Sequence, residues 1–145
     1  MPASSITNKY SSHYVICFFD AQAESAIRIY SGKKYERVIG FSLALFEHAY
    51  EGRVLYKALS SGQGWTIVRN HIEEMLVQFM KEEARPLFRK KSSSDIPFEV
   101  FIYYLGSTFM SVMTWWLNHR NPLSPKEINA LFRDLVVPTL AANLN

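Results

Sequence analysis

The longest uncharged stretch of the sequence runs from Val100 to His119 and contains no Asp, Glu, Lys or Arg in 20 residues. An apolar stretch of this length is either a helix that crosses a bilayer or a helix buried in a protein core. Five Ser, Thr and Asn residues interrupt it, and no cluster of positive charges lies directly at either end to orient a membrane span. We therefore predict a helix over about residues 97–119 that is buried on nearly all sides in a soluble core or a dimer interface, with no membrane association.

Apolar residues recur at three- and four-residue steps along most of the remaining chain, which is the spacing of one helix face. This spacing predicts helices over about residues 21–30, 33–50, 53–60, 66–85 and 125–140, in addition to the one over 97–119. The last helix has the clearest start, because Ser124 and Pro125 are followed by Glu127 in the pattern of a capping box. The chain has only 6 Gly and 6 Pro, too few for a turn-rich β-sandwich. The sequence thus predicts an all-α fold, a bundle of about six helices.

The length of 145 residues favours one domain with an arm over two full domains. Residues 1–13 are polar and Ser-rich, so we expect residues 1–19 to be a poorly structured arm or tether and residues 20–145 to form a single helical domain. Cys17 is the only cysteine, which excludes an internal disulfide and a cysteine-rich metal site. With no signal-peptide pattern at the N-terminus, this indicates a cytoplasmic protein. The net charge of +3 is too small to indicate nucleic-acid binding.

The sequence lacks the residues that the common catalytic patterns require. The SSGQG segment at residues 60–64 has no Lys-Ser/Thr pair, as a phosphate-binding loop requires. His48 and His71 lie on separate predicted helices, and neither belongs to a His-x-x-x-His or Glu-x-x-His pair on its own helix. Glu73 and Glu74 are adjacent and point about 100 degrees apart, so they cannot act as a carboxylate pair. We expect no catalytic residues, no metal site and no cofactor.

A ligand pocket is predicted from aromatic and thioether side chains on the middle helices. His71, Met75 and Phe79 follow a four-residue step and share a face, which we expect to point inward. Tyr103, Tyr104 or Phe109 would close the cavity from the opposite side, with Tyr56 and Trp65 near its mouth. Such a lining suits a hydrophobic small molecule. The alternative is that these side chains fill a core and that His71 bonds a neighbour there.

A homodimer is predicted from the last two long helices, because together they carry more apolar surface than one core of this size can cover. Paired helices of this kind form four-helix interfaces in which aromatic residues often dominate the binding energy. The residues that we expect at the interface are Phe101, Leu105, Val112, Trp116, Leu131, Phe132 and Leu135.

Three segments resemble a known family: ALFEHAYEGRVLYKALSSGQG (44–64), IVRNHIEEMLVQFM (67–80) and, above all, FMSVMTWWLNHRNPLSPKEINALF (109–132). They are similar to the C-terminal effector-binding and dimerisation region of TetR/AcrR-type bacterial transcriptional regulators. In that family a helix that ends in Trp-Trp-Leu or Trp-Leu precedes a short polar turn and a final helix that opens with Ser-Pro-x-Glu. The corresponding residues here are Trp115 to Leu117 and Ser124 to Glu127, and the resemblance covers roughly residues 36–140.

The resemblance implies a non-enzymatic domain that senses a ligand and dimerises in the cytoplasm. Family members begin with a three-helix DNA-binding domain that contains a helix-turn-helix, and residues 1–35 are too short for it and lack its pattern. We therefore expect contact with DNA only through a helix-turn-helix domain that is missing here. The alternative is a helical interaction protein that pairs with a full-length regulator without binding a ligand.

Overall fold

The computed structural model describes residues 34–60, 62, 64–89, 96–120 and 123–145. This part of the chain is all-α, as predicted, with one short 3-10 turn at Arg85–Leu87. Its six helices are α1 (Lys34–Ile39), α2 (Ser42–Glu51), α3 (Arg53–Ser60), α4 (Gly64–Ala84), α5 (Phe98–Leu117) and α6 (Pro125–Asn143). The predicted arm (1–19) and the predicted helix over 21–30 lie outside the described residues.

The helix predicted over 33–50 is divided into α1 and α2 at Gly40 and Phe41. Glycine is a poor helix former, which explains why the helix breaks at this position although the apolar spacing continues through it. The turn places the Phe41 ring in the core, where it is 2% exposed and packs edge-on against Phe79 and Phe109.

Helix α4 passes between α1 and α5 and buries one narrow stripe. The stripe follows four-residue steps and consists of Val68, Ile72, Leu76, Met80 and Ala84. His71, which we expected to point inward, is exposed, and so is Ile67 one turn before it. A helix turns by about 100 degrees per residue, so position 71 points about 100 degrees away from the buried Ile72. Position 67 is one turn earlier on the same side and is likewise outside the buried stripe.

Helix α5 packs against α4 on one side and α6 on the other. By length and composition alone α5 could cross a membrane, as the sequence indicated. Only eight of its 20 residues are buried within this single chain. The prediction that this helix is buried on nearly all sides is therefore wrong when one chain is considered by itself. Gly106 of α5 faces α4, and an added Cβ there would lie 2.7 Å from a methyl group of Val77.

Helix α6 begins with the predicted capping box. The Ser124 hydroxyl accepts the Glu127 backbone N–H at 3.2 Å, and the Glu127 carboxylate accepts the Ser124 backbone N–H at 2.9 Å. Pro138 lies inside this helix, which continues to Asn143, three residues beyond its predicted end. Beyond it, Asn145 donates its backbone N–H to Leu87 at 2.7 Å, and Phe88 forms an isolated antiparallel bridge with Leu144.

Two ion pairs hold the short helix α1 against the bundle. Arg133 of α6 contacts Glu36, and Arg37 lies 3.2 Å from Glu83 of α4. Ser42 at the start of α2 donates its hydroxyl to the Asn129 side chain at 2.6 Å. These contacts join the N-terminal part of the described chain to α4 and α6.

Candidate functional site

The centre of the bundle, where the sequence predicted part of a pocket, is filled by aromatic rings. Phe109 is fully buried, and its ring lies 4.9 Å from Phe46, 5.3 Å from Phe132 and 5.7 Å from Phe41, measured between ring centroids. The Phe79 ring joins the same cluster through Phe41 at 5.5 Å. Phe109 therefore lies in the core and Phe79 packs against it half-buried, which is the alternative that the sequence left open for them.

The other predicted pocket residues do not converge on one cavity. His71 is exposed on the outside of α4, and Met75 is half-buried beside the core. Tyr103 and Tyr104 are 58% and 40% exposed, because they lie on the outward side of α5. The expectation that His71 points inward is thus wrong, and so is the expectation that either tyrosine closes a central cavity.

Tyr103 instead lines an open groove of about 470 Å³ between α4 and α5. Most of the residues that line it carry polar or charged groups, among them the carboxylates of Glu73, Glu74 and Glu99. Ser107 donates its hydroxyl to Glu73 at 3.0 Å, and Lys81 lies 3.0 Å from Glu99. Since these side chains pair across the groove, we interpret it as a polar outer surface.

Tyr56 and Trp65 do come together, as predicted, at one end of the bundle. Their rings meet edge-on with centroids 5.7 Å apart, and both line a narrow cavity where α3, α4 and α5 meet. We call this cavity the hydroxyl cleft, and its lining residues are Tyr56, Lys57, Trp65, Thr114, Leu117 and Asn118. Its volume of about 10 Å³ is close to the room that one water molecule needs.

Two hydroxyl groups at the cleft are buried without a hydrogen-bond partner among the described residues. They are the Tyr56 phenol and the Thr114 hydroxyl, and Tyr56 as a whole residue is only 3% exposed. Leaving such a group unpaired costs about 1–3 kcal/mol. Burial also raises the pKa of the Tyr56 phenol, because the charged form is poorly solvated there.

A second cavity of about 80 Å³ adjoins the cleft, since Lys57 and Leu117 line both. We call it the basic pocket, and its lining residues are Tyr50, Arg53, Lys57, Trp116, Leu117, His119 and Arg120. Among the described residues no Asp or Glu lines either cavity. The pocket therefore combines positive charge with aromatic walls.

The wall of the basic pocket is built from stacked side chains. The Arg53 guanidinium lies 4.2 Å from the centre of the Tyr50 ring and donates to the Tyr50 carbonyl at 2.9 Å. The Tyr50 ring in turn stacks on Trp116 with centroids 6.0 Å apart. The Trp116 indole N–H donates to the Leu123 carbonyl at 2.7 Å, which fixes the ring at the base of the stack.

Four of the seven predicted interface residues lie in the core of this single chain. Phe101, Leu105 and Phe132 are fully buried, and Trp116 is 1% exposed. Their large side chains already pack within one chain, so our assignment of them to a dimer surface is corrected here. Both long helices carry apolar residues on more than one face, and the sequence alone could not distinguish the inner face from the outer one.

The remaining predicted interface residues lie at or near an uncovered apolar surface. Leu131 and Leu135 are 44% and 53% exposed, and Val112 is half-buried. The Tyr104 hydroxyl donates to the Leu135 carbonyl at 3.1 Å, which joins the outward sides of α5 and α6. We call this surface the outer face and define it by Val100, Tyr104, Ser111, Trp115, Leu131 and Leu135.

Sequence reasoning missed the cationic residues at the end of the bundle. Arg53 and Lys57 are four residues apart on α3, and this spacing places them on one side of the helix. That signal was available in the sequence. Arg120 and His119 follow α5 and reach the same pocket only through the packing of α3 against α5, which no local pattern reveals.

Metal ligands do not cluster in the part of the chain that the structure describes: it holds no group of three or more His, Cys, Asp or Glu side chains that could bind a metal ion. Two candidate features emerge from the preceding observations: a pair of cavities at one end of the bundle and an uncovered apolar face on α5 and α6.

Comparison with known proteins identifies the family to which the chain belongs. A family model described as the transcriptional regulator C-terminal region, of the TetR type, matches residues 36–137. No curated protein and no solved structure shows a significant match to the chain. The matched range includes every helix from α2 to α5, most of α1 and most of α6. The chain belongs to the family of TetR-type transcriptional regulator C-terminal regions.

Proposed function

We propose that this chain is the sensing and pairing domain of a cytoplasmic transcriptional regulator, and that it acts by binding a second copy of itself rather than by catalysis. The observation that carries the proposal is the outer face, an apolar surface shared by the last two helices of a regulator domain. DNA would be contacted through a helix-turn-helix domain and not through the helices described here.

The chemistry of the outer face suits a partner that is also apolar. Its α5 side lies within the uncharged stretch that runs from Val100 to His119. Trp115 is 50% exposed at one end of this stretch, and Tyr104 lies near the other end. Large aromatic side chains are enriched at the centres of protein interfaces, where they lose little conformational entropy and gain much contact area.

The geometry of the face suits a second copy of this chain. The Tyr104–Leu135 hydrogen bond links α5 and α6 side by side, so two chains related by a two-fold axis would bring four helices together. Such an arrangement would cover Leu131, Leu135 and Trp115 of both chains at once. An isologous contact needs one self-complementary patch, and an apolar patch with few charges meets that condition.

Helix α5 would connect ligand binding to pairing. Thr114 and Leu117 of α5 line the hydroxyl cleft, while Ser111 and Trp115 of the same helical turns lie on the outer face. A ligand that enters between α3 and α5 would therefore displace a helix that also contacts the partner. In a complete regulator, such a displacement changes the separation of two DNA-binding domains.

The test is the molar mass of the chain in solution at micromolar concentration, measured by light scattering. We expect the wild-type chain to be a dimer and Leu135→Glu to be a monomer, because a charge would be buried between two apolar faces. Ile67→Glu is the matched control, since Ile67 is 69% exposed on α4 and lies off the outer face. A monomeric wild-type chain, or dissociation caused equally by both substitutions, would contradict the proposal.

A further inference from the structure

We propose that the basic pocket binds one anionic group, a phosphate or a carboxylate, between Arg53, Arg120 and a protonated His119. Such a group would belong to the ligand that is sensed under the proposed function, on which this inference rests. Lys57 also lines the pocket, but it already has an interaction partner, so we do not assign it to the site.

The basic pocket has room for such a group. Its volume is about 80 Å³, whereas a cavity needs about 10–15 Å³ to hold one water molecule. The pocket lies between α3 and α5, where Trp116 and Leu117 line it from α5. A phosphate or carboxylate group in this space needs neither the hydroxyl cleft nor a movement of Trp65, which lines the cleft and not the pocket.

The charge of the pocket suits an anion. Arg53 and Arg120 both line it, and no Asp or Glu among the described residues does. Arg120 has no hydrogen-bonding or ionic partner in the part of the chain that the structure describes, so its guanidinium donors are available. A guanidinium group binds a carboxylate or a phosphate through strong, charge-assisted hydrogen bonds that are often paired. Two such groups in a pocket without a carboxylate therefore indicate an anionic ligand.

Arg53 is held in place before any ligand arrives. Its guanidinium lies 4.2 Å from the centre of the Tyr50 ring, and one of its N–H donors bonds the Tyr50 carbonyl, which leaves the other donors for a ligand. Tyr50 in turn stacks on Trp116, which is 1% exposed. Because this stack limits the movement of Arg53, an anion gains hydrogen bonds with little loss of side-chain entropy.

His119 has one ring nitrogen left for a ligand. Its Nδ1 lies 2.6 Å from the Trp115 carbonyl oxygen, and a carbonyl oxygen only accepts hydrogen bonds, so Nδ1 carries the proton of the neutral ring. The neutral Nε2 is then an acceptor and repels an anion. When Nε2 gains a proton, it becomes a donor and the ring becomes positively charged. The affinity for an anion should therefore rise as the pH falls.

The other groups that line the pocket favour proton uptake by His119 only when an anion is present. Arg53 and Lys57 of α3 and Arg120 beyond α5 are positively charged, and Tyr50 of α2 is the remaining titratable group there among the described residues. These cations repel a positively charged His119, and a bound anion offsets that repulsion. Anion binding and protonation of His119 should therefore favour each other.

His119 also places the site beside the outer face. Its ring centroid lies 4.1 Å from that of Trp115, which is 50% exposed on that face. An anion at His119 would thus contact a side chain that packs on the surface through which two chains would pair. This position suits a site whose occupancy alters pairing.

The experiment is an NMR titration of the full chain with sulfate and with acetate, at an ionic strength held constant with sodium chloride. Sulfate represents a phosphate group and acetate a carboxylate, and both keep their charge between about pH 6 and pH 8. We expect at least one of them to bind, with saturable shifts of the His119 signals, and to bind about tenfold more weakly to Arg120→Gln. Arg85→Gln is the matched control, because Arg85 also lies over an aromatic ring, 5.0 Å from the centre of Phe98, but at the opposite end of α4.

The pH dependence of binding tests the role of His119. The anion should bind about threefold more tightly at pH 6 than at pH 8. His119→Gln should abolish this difference, whereas His71→Gln, which changes an exposed histidine on α4, should keep it. If neither anion binds, if Arg120→Gln and Arg85→Gln behave alike, or if binding to the wild-type chain and to His119→Gln has the same pH dependence, the inference is wrong. Light scattering on the same samples keeps this outcome distinct from the proposed function, since a dimer that binds neither anion contradicts the ligand class alone.

Discussion

Replacing Tyr56 by Phe should stabilise the ligand-free chain, although a buried tyrosine hydroxyl usually contributes to stability. A buried Tyr→Phe change usually costs about 1 kcal/mol, because a hydrogen bond is lost. Here the Tyr56 hydroxyl has no partner among the described residues, and the residue is only 3% exposed. The substitution would therefore remove an unpaired group and keep the ring that packs against Trp65.

The expected size of the effect follows from two opposing contributions. An unpaired buried hydroxyl costs about 1–3 kcal/mol, which is the largest gain available. The cleft has room for about one water, which would satisfy part of that cost in the wild-type chain. We therefore expect the free energy of unfolding to rise by about 1 kcal/mol, equivalent to about 3 °C in the melting temperature of a chain this size.

The assay is reversible thermal and urea unfolding of the wild-type chain and Tyr56→Phe, without any ligand. Tyr35→Phe is a control in a tyrosine that is only half-buried, and we expect no comparable gain from it. A loss of 1 kcal/mol or more in Tyr56→Phe would refute the reasoning, because it would mean that the hydroxyl makes a favourable hydrogen bond in the folded chain.

The free energy of unfolding at alkaline pH also depends on the Tyr56 phenol. Burial raises the pKa of Tyr56 above its usual value of 10.0, so the unfolded chain releases this proton at a lower pH than the folded chain does. The unfolded state then binds fewer protons, and stability falls as the pH rises above about 10. We expect this fall to be less steep in Tyr56→Phe.

The remaining predictions concern helix packing and capping. Gly106→Ala should lower the free energy of unfolding by about 1 kcal/mol, because the new methyl group would lie 2.7 Å from a methyl group of Val77 and this overpacking outweighs the better helix propensity of alanine. In a double-mutant cycle measured by urea unfolding, adding Val77→Ala should recover most of that loss. Ser124→Ala should lower the free energy of unfolding by about 1 kcal/mol by removing the hydroxyl that accepts the Glu127 N–H, and Ser124→Asp, which restores an acceptor, should retain most of it in the same assay.

Local patterns in the sequence predicted the helices well, because each pattern has a local cause. The capping box at Ser124 needs only a hydroxyl and a carboxylate three residues apart, and the structure contains both of its hydrogen bonds. The division at Gly40 was missed because the apolar spacing continues across it. Pro138 does not end the last helix, since one missing N–H is tolerated in a helix that buries residues from Ile128 to Asn143.

The faces of the helices were predicted less well, because a face is chosen by tertiary packing. Helix α5 has bulky apolar residues almost all round, so Phe101 and Trp116 resembled Trp115 in the sequence although the first two are buried and the last is half-exposed. His71 shares a four-residue step with Met75, yet the buried stripe of α4 is centred on Ile72 and Leu76. Periodicity identifies a helix but does not give its rotation about its own axis.

The central claim, that two chains pair through the outer face, is tested most directly by site-specific photo-crosslinking. A photoreactive p-benzoylphenylalanine would replace Leu131, which is 44% exposed on α6, or Ile67, which is 69% exposed on α4. The account predicts a covalent dimer on a denaturing gel after irradiation of the chain labelled at position 131, and none from position 67. Crosslinked dimer from position 67 alone, or a dimer in solution that position 131 fails to crosslink, would contradict it.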